Sequence, residues 1–206
     1  MKIVGIFGGS FDPIHKGHLA VARAVVREGL ADEVWLMVSP RNPLKLARRM
    51  AGETDRLEMA RLAVATLPQE ERERIKVSDF ETHLPMPSYT ANTLRALTMA
   101  NPGIRFKWIV GGDNLANLNK WREPEVIAGE YGLIVYPRRG AAFEEISKIP
   151  SGCVILKNAP FISNSSTEIR EMMAEGKSVS GLTPPEVEEY IKEHKLYQTQ
   201  SKEPGV

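Results

Sequence analysis

Two histidines lie three residues apart in a glycine-rich segment near the start of the chain, GGSFDPIHKGHL. Gly8 and Gly9 let a backbone come close to a bulky ligand and expose its N–H groups to that ligand. His15 and His18 flank the predicted start of a helix, where unpaired N–H groups favour an anion, and each imidazole can donate a hydrogen bond to one phosphate. The residue types therefore indicate a phosphate site, with a tight turn carrying two surface histidines as the alternative.

A second cluster of phosphate-binding residue types lies late in the chain, in the segment SNSSTEIR. Ser165 and Glu168 have the spacing of a capping box, which predicts a helix start. Capping does not account for the neighbouring hydroxyls of Ser166 and Thr167, nor for Arg170 one turn later. Together with the helix N–H groups, these side chains would form a cradle for a polyphosphate.

A third loop follows the apolar run FKWIV and begins with two glycines and an acid. Trp108 in that run is expected in the core, because aromatic side chains in strands usually pack there. Gly111 and Asp113 could form an ordinary turn. Asp113 would nevertheless lie beyond the carboxyl end of a strand, where parallel sheets bind their ligands.

Apolar runs and helical patterns alternate along the whole chain, which predicts parallel strands joined by helical crossovers. The expected fold class is α/β, a Rossmann-like doubly wound parallel sheet with a C-terminal helical end. The predicted strands are Lys2–Phe7, Val34–Val38, Ile75–Phe80, Phe106–Val110, Leu133–Tyr136 and Val154–Leu156. The predicted helices are Gly17–Glu28, a helix after the basic loop Arg41–Glu53 with Leu57, Ala60, Val64 and Leu67 on one face, Thr90–Ala100, and two final helices that begin at the capping boxes Ser165/Glu168 and Thr183/Glu186.

Composition excludes several classes of protein. The 206 residues include 27 Lys and Arg against 26 Asp and Glu, a formal charge of +1, which argues against a broad basic face for nucleic acid or membranes. Cys153 is the one cysteine, so no intramolecular disulfide or cysteine-based zinc site can form. No apolar run approaches the roughly 18 residues of a membrane span. We therefore expect a cytoplasmic protein without nucleic-acid or membrane partners, folded as one domain over residues 1–197 with a frayed tail over 198–206.

The three loops together resemble a known family. The run GGSFDPIHKGHL is similar to the segment of the nucleotidylyltransferase superfamily that carries its H-x-G-H signature, here His15-Lys16-Gly17-His18. SSTEIR is similar to the family's S-x-T-x-I-R element, and Gly111, Asp113 and Trp121 match its pattern of G-x-D followed by tryptophan. The matches run in the family's order over residues 3–197. They most closely resemble the bacterial nicotinate-nucleotide adenylyltransferases.

The resemblance implies a role for each matching residue. The implied catalytic residues are His15, His18, Lys45 and Arg170. The implied ATP-binding residues are Gly8, Gly9, Ser10, Phe11, His15, His18, Gly111, Asp113, Ser165, Ser166, Thr167 and Arg170. The implied substrate-binding residues are Asp12, Lys45, Ser88, Tyr89, Thr90, Trp121 and Arg122. Among these, Asp113 would contact the adenosine, Trp121 would stack on the pyridine ring, and Thr90 would contact the substrate carboxyl group.

Two positions depart from the family's pattern. Leu44 stands where the family loop usually has a histidine, so only Lys45 carries over from that loop, as a phosphate ligand. Arg122 stands where an aromatic residue or histidine is frequent, which blurs the choice of substrate.

The implied reaction transfers the adenylyl group of ATP to nicotinate mononucleotide, giving nicotinate adenine dinucleotide and pyrophosphate. Mg²⁺ would be held mainly by the ATP phosphates, because no dedicated carboxylate cage is evident. The same transfer to nicotinamide mononucleotide or another phosphorylated acceptor stays open, as does a non-catalytic nucleotide sensor. A homo-oligomer is also compatible with the sequence.

Overall fold

A computed structural model describes residues 1–40, 50–115, 117–137, 152–158 and 164–198, in which strands and helices alternate as the sequence predicts. The strands are β1 (Lys2–Gly9), β2 (Glu33–Val38), β3 (Ile75–Ser78), β4 (Ile104–Gly111), β5 (Leu133–Tyr136) and β6 (Val154–Ile155). The helices are α1 (Lys16–Arg27), α2 (Glu53–Ala65), α3 (Gln69–Arg72), α4 (Thr90–Ala100), α5 (Gly112–Leu115), α6 (Ser166–Ala174) and α7 (Pro185–Glu193). Short 3-10 turns cover Phe80–His83 and Leu118–Lys120, and a π-helical turn covers Val126–Tyr131.

The six strands form one parallel sheet in the order β3-β2-β1-β4-β5-β6. Ile6 at the centre of β1 is in register with Trp35 of β2 on one side and Trp108 of β4 on the other. The chain reverses its direction of winding between β1 and β4, and the crevice beyond such a switch point is where doubly wound sheets bind ligands. The predicted Rossmann-like fold is confirmed.

Both faces of the sheet are covered, which explains why its central strands are almost continuously apolar. Helices α1, α2 and α7 pack on the face that carries Phe7 and Ile109. Helix α4 and the π-helical turn pack on the opposite face, against Ile6 and Phe106. Among the helices of the described residues, none is both long and apolar enough to cross a membrane.

Two local predictions are wrong. The predicted strand Ile75–Phe80 ends at Ser78, because the Ser78 hydroxyl accepts a hydrogen bond from the Phe80 N–H and a 3-10 turn begins there. The predicted capping box of Thr183 and Glu186 does not form, since α7 begins one residue later, with Pro184 at its N-cap. The Thr183 hydroxyl instead donates to the Glu188 carboxylate at 3.3 Å. The capping box of Ser165 and Glu168 is confirmed.

The Glu33 side chain links the beginnings of the neighbouring strands β1, β2 and β3. Its carboxylate accepts hydrogen bonds from Lys2 at 2.6 Å, Lys76 at 2.9 Å and the indole of Trp35 at 3.1 Å. Burial alone would raise the pKa of Glu33, but these three donors lower it to about 2. The ionised carboxylate therefore stabilises the folded state.

We expect Glu33→Gln to lower the free energy of unfolding at pH 7 by about 1–2 kcal/mol, less than the full pKa shift implies because the two lysines are half exposed. The folded-state pKa lies below the unfolded value, so this contribution is present above about pH 4.5 and is lost as the pH falls towards 2. Urea unfolding of both proteins between pH 7 and pH 3 measures the difference. Glu70→Gln, at an exposed glutamate, is the control and should change the free energy of unfolding little. If the difference in unfolding free energy between Glu33→Gln and the wild type stays constant with pH, the stabilising role of the ionised Glu33 carboxylate is contradicted.

Candidate active site

The carboxyl ends of β1 and β4 meet at the switch point, and the two glycines that end β1 accommodate neighbouring aromatic rings. A Cβ atom on Gly8 would lie 2.5 Å from the Trp108 ring, and one on Gly9 would lie 3.2 Å from the Phe11 ring. Close ligand approach was the predicted reason for these glycines. The structure adds a second reason, which is that any side chain there would displace the aromatic packing beneath the loop.

His15 and His18 lie together at the start of α1. Their rings stack with centroids 3.7 Å apart, and His15 is buried while His18 is partly exposed. The His18 Nδ1 accepts a hydrogen bond from the His15 backbone N–H at 3.2 Å, and the rings of Phe7 and Phe11 make T-shaped contacts with the His18 ring. The alternative of two surface histidines is therefore wrong for His15, which is buried, whereas His18 keeps part of its surface exposed.

Asp12 is a buried carboxylate at the centre of the loop between β1 and α1, with 1% of its surface exposed. Its Oδ1 accepts hydrogen bonds from the Tyr197 hydroxyl at 2.6 Å and the Ala51 N–H at 3.0 Å. Arg170 of α6 donates to the Asp12 carbonyl and lies 3.6 Å from the Asp12 Oδ2. Burial and the Asp12 charge raise the pKa of Tyr197, so its phenol stays protonated and acts as a donor.

The N-terminus of α6 lies against the same loop. The Ser166 hydroxyl donates to the Pro13 carbonyl at 3.0 Å, and Arg170 donates to the Thr167 hydroxyl at 3.2 Å. Ser165 caps the helix, accepting from the Glu168 N–H at 3.2 Å. The two predicted phosphate-binding segments, 150 residues apart in the sequence, are thus brought together, with two helix N-termini converging on one loop.

The predicted adenosine residues lie at the end of β4. Gly111 is buried, and a Cβ atom on it would lie 2.5 Å from the Asp113 carboxylate and 3.2 Å from the Tyr136 ring. Asp113 itself is exposed in the first turn of α5, beyond the carboxyl end of the strand. Trp108 is buried as predicted, with its ring over Gly8.

The predicted pyridine-binding residues come from two segments that touch each other. The guanidinium of Arg122 lies 4.8 Å from the centre of the Tyr89 ring, and Trp121 is partly buried beside it in the chain. Ser88 and Thr90 flank Tyr89. Within the described residues no side chain caps α4, whose N-cap is Tyr89, so the alternative of an ordinary cap by Ser88 or Thr90 is wrong.

Lys45 lies outside the described residues, as does the rest of residues 41–49.

Burial raises the pKa of the Cys153 thiol, so little of it is ionised at neutral pH. A role for this thiol as a nucleophile has no support.

Residues 6–172 match the cytidylyltransferase-like family. Curated relatives from Flavobacterium johnsoniae and Bacteroides fragilis, 39% and 43% identical, are named nicotinate-nucleotide adenylyltransferases; the first match spans 96% of this chain and 99% of the relative, the second 89% and 88%. This chain belongs to the nicotinate-nucleotide adenylyltransferase family. The family expected from the sequence is confirmed.

A solved structure agrees with the fold of this nicotinate-nucleotide adenylyltransferase family member. The Plasmodium falciparum nicotinic acid mononucleotide adenylyltransferase complexed with NaAD superimposes with a TM-score of 0.80 at 22% identity, covering 96% of this chain and 98% of that one. At this identity the likeness establishes the shared fold.

Two residues of the site were not predicted to act there. Arg56 is fully buried in α2, and its guanidinium donates to the carbonyls of Ser10 at 2.8 Å, Ser39 at 2.7 Å and Ala51 at 3.3 Å. Its position on the same helical face as buried apolar residues is a signal that could have identified it, because charged residues on a core face are almost always paired. The second residue is Tyr197, whose hydroxyl donates to the Asp12 carboxylate.

We expect Arg56→Lys to lower the free energy of unfolding by about 1–3 kcal/mol, because a single ammonium group cannot span three carbonyls and leaves at least one of them buried and unpaired. Chemical denaturation measures the loss. Arg61→Lys on the same helix is the matched control, since the Arg61 side chain is 56% exposed, and should stay within about 0.5 kcal/mol of the wild type. Equal effects of the two substitutions would show that the carbonyl contacts contribute nothing.

Proposed function

We propose that this protein transfers the adenylyl group of ATP to nicotinate mononucleotide, forming nicotinate adenine dinucleotide and releasing pyrophosphate. The observation that carries the proposal is the convergence of the stacked pair His15 and His18 with the N-terminus of α6 at the switch point of the sheet. The activity by which the relatives are named is adenylyl transfer to a nicotinate nucleotide, and it requires a phosphate site of this kind.

The chemistry needs alignment and charge neutralisation more than an activated nucleophile. The attacking group is the phosphate of the mononucleotide, which is already an anion at neutral pH. Its oxygen forms a bond to the α-phosphorus of ATP, and the bond from that phosphorus to the oxygen bridging to the β-phosphate breaks. The electron pair of the broken bond leaves with pyrophosphate. The protein therefore has to hold both phosphates in line and offset the charge that develops on them.

His18 is suited to donate a hydrogen bond to the α-phosphate. Its Nδ1 accepts from the His15 N–H, so the proton of a neutral His18 ring resides on Nε2. The packing of Phe7 and Phe11 against the ring holds that nitrogen in one direction. A donor oriented before the substrate arrives needs no reorganisation during the reaction, and His15 would assist from the neighbouring position.

The remaining predicted residues fit the other parts of the substrates. Ser165, Ser166, Thr167 and Arg170 would hold the leaving pyrophosphate, with Lys45 and the glycine-rich loop completing the phosphate site. Gly111 and Asp113 would contact the adenosine. Trp121 would stack on the pyridinium ring, an attraction between an aromatic face and a cation. Thr90 would contact the carboxyl group of nicotinate, and the positive charge of Arg122 on the Tyr89 ring favours that acid over the neutral amide.

We propose Mg²⁺ as the divalent cation that accompanies ATP. In the part of the chain that the structure describes, no three His, Cys, Asp or Glu side chains group as a metal site. The cation would therefore be bound mainly by phosphate oxygens and would neutralise part of their charge. We place the reaction in the cytoplasm, and the partners are these small molecules.

Incubation with Mg-ATP and either mononucleotide, followed by separation of the dinucleotides, tests the proposal directly. Product from nicotinate mononucleotide, in excess over product from nicotinamide mononucleotide, is expected. Product from the amide alone would mean that nicotinamide mononucleotide, and not nicotinate mononucleotide, is the acceptor. No product from either would refute adenylyl transfer to a pyridine nucleotide. ATP binding without turnover would favour a nucleotide sensor.

We expect His18→Ala to lower kcat on the order of 10²–10³-fold with little change in KM, as when an enzyme loses one donor to a developing charge. Initial rates at saturating ATP measure it. His83→Ala is the control, because the His83 side chain is 73% exposed at the end of a 3-10 turn. Wild-type turnover in the His18 variant would remove this residue from the mechanism.

A further inference from the structure

The two oxygens of the Asp12 carboxylate differ in the hydrogen bonds that they accept. Its Oδ1 accepts two hydrogen bonds, from the Tyr197 hydroxyl and the Ala51 N–H. Its Oδ2 is fully buried and accepts no hydrogen bond from the described residues, and the Arg170 guanidinium lies 3.6 Å away from it. Oδ1 thus has two hydrogen-bond donors, whereas Oδ2 and the Arg170 guanidinium are too far apart to form a hydrogen bond.

Arg170 is held by other groups at this distance. Its guanidinium donates to the Asp12 backbone carbonyl and to the Thr167 hydroxyl, and its side chain retains 16% exposure. Arginine and carboxylate side chains commonly form two parallel hydrogen bonds when both are available. A guanidinium paired in that way with Asp12 would have fewer N–H groups left for a phosphate.

We propose that Tyr197 is a positioning residue for the ATP site: its hydroxyl occupies one oxygen of the Asp12 carboxylate and so keeps Arg170 from closing a two-point ion pair, which leaves the guanidinium available for the phosphates of ATP. This inference rests on the proposed function, in which Arg170 binds those phosphates. It assigns a role to a residue that lies 185 positions from Asp12 in the sequence.

The chain supplies a matched contact for comparison. Tyr190 in α7 donates its hydroxyl to the Asp55 carboxylate at 3.0 Å, so two tyrosines seven residues apart each bind an aspartate. Burial, together with the adjacent aspartate, raises the pKa of both phenols, and both are therefore protonated donors. Asp55 lies in α2 and has no contact with Arg170 among the described interactions. If these tyrosines only stabilise the fold, replacing either one should have the same effect on ATP binding. If Tyr197 positions Arg170, only the replacement of Tyr197 should weaken ATP binding.

The experiment measures ATP binding by isothermal titration calorimetry without an acceptor, in wild type, Tyr197→Phe and Tyr190→Phe. We expect Tyr197→Phe to raise the Kd for ATP about tenfold, the factor associated with one charge-assisted hydrogen bond, because Asp12 then binds the Arg170 guanidinium more tightly. Tyr190→Phe should stay within about twofold. In steady-state assays the loss in Tyr197→Phe should appear in KM for ATP more than in kcat.

A double-mutant cycle tests whether Tyr197 acts through Arg170. In an Arg170→Lys background, Tyr197→Phe should weaken ATP binding by less than about twofold, because the group it protects is already gone. Additive losses would overturn the proposal, as would an unchanged Kd in the single variant or equal losses in Tyr197→Phe and Tyr190→Phe.

Asp12→Asn provides a second background for the same comparison, because a neutral amide cannot form an ion pair with Arg170. In that background no buried charge is left without its donor, so Tyr197→Phe is expected to fold there even if it fails to fold alone. Relative to Asp12→Asn alone, the added Tyr197→Phe should change the Kd for ATP by less than about twofold, and a tenfold loss would contradict the proposal. Failure of the proposed function is distinguishable, because a protein that forms no dinucleotide can still show the Tyr197 effect on ATP binding.

Discussion

The buried carboxylate of Asp12 is the contact on which the arrangement of the site depends. It lies in the loop after β1, and its Oδ1 accepts from the Ala51 N–H, just before α2, and from the Tyr197 hydroxyl. Arg170 of α6 donates to the backbone carbonyl of the same residue and lies 3.6 Å from the Asp12 Oδ2. Removing a carboxylate from water costs several kcal/mol unless donors replace the lost hydration. The charge therefore favours only those conformations in which all three segments are in place. Predicted phosphate-binding residues that are widely separated in the sequence are thus brought together around one anion.

A buried cation completes this arrangement. Arg56 binds carbonyls at the ends of β1 and β2 and the carbonyl of Ala51, whose N–H donates to Asp12. The backbone of Ala51 thus lies between the buried cation and the buried anion, with its carbonyl bound to one and its N–H to the other.

The fold and the location of the site could be predicted because both follow from local patterns. The alternation of apolar runs with helical periodicity determines a parallel sheet, and the crevice at its switch point follows from that topology. The roles of Arg56 and Tyr197 could not be derived in this way. Their partners are backbone groups or a carboxylate far away in the sequence, and neither residue belongs to a local motif. The wrong prediction for the start of α7 has a related cause. Thr183 has the right spacing for a cap, but its hydroxyl forms a hydrogen bond with Glu188 instead.

Arg56 and Arg170 show how one residue type serves two purposes in a chain of nearly zero net charge. Arg56 is fully buried and binds three backbone carbonyls of the protein, so its charge contributes to stability. Arg170 binds one carbonyl and one hydroxyl, lies 3.6 Å from the Asp12 Oδ2 and keeps part of its surface exposed. The formal charge of +1 sums over both and conceals the difference. The proposed availability of Arg170 to a triphosphate therefore rests on its partial exposure and on an ion pair that is not closed, and the proposed role of the Tyr197 hydroxyl is to keep that pair open by occupying the competing carboxylate.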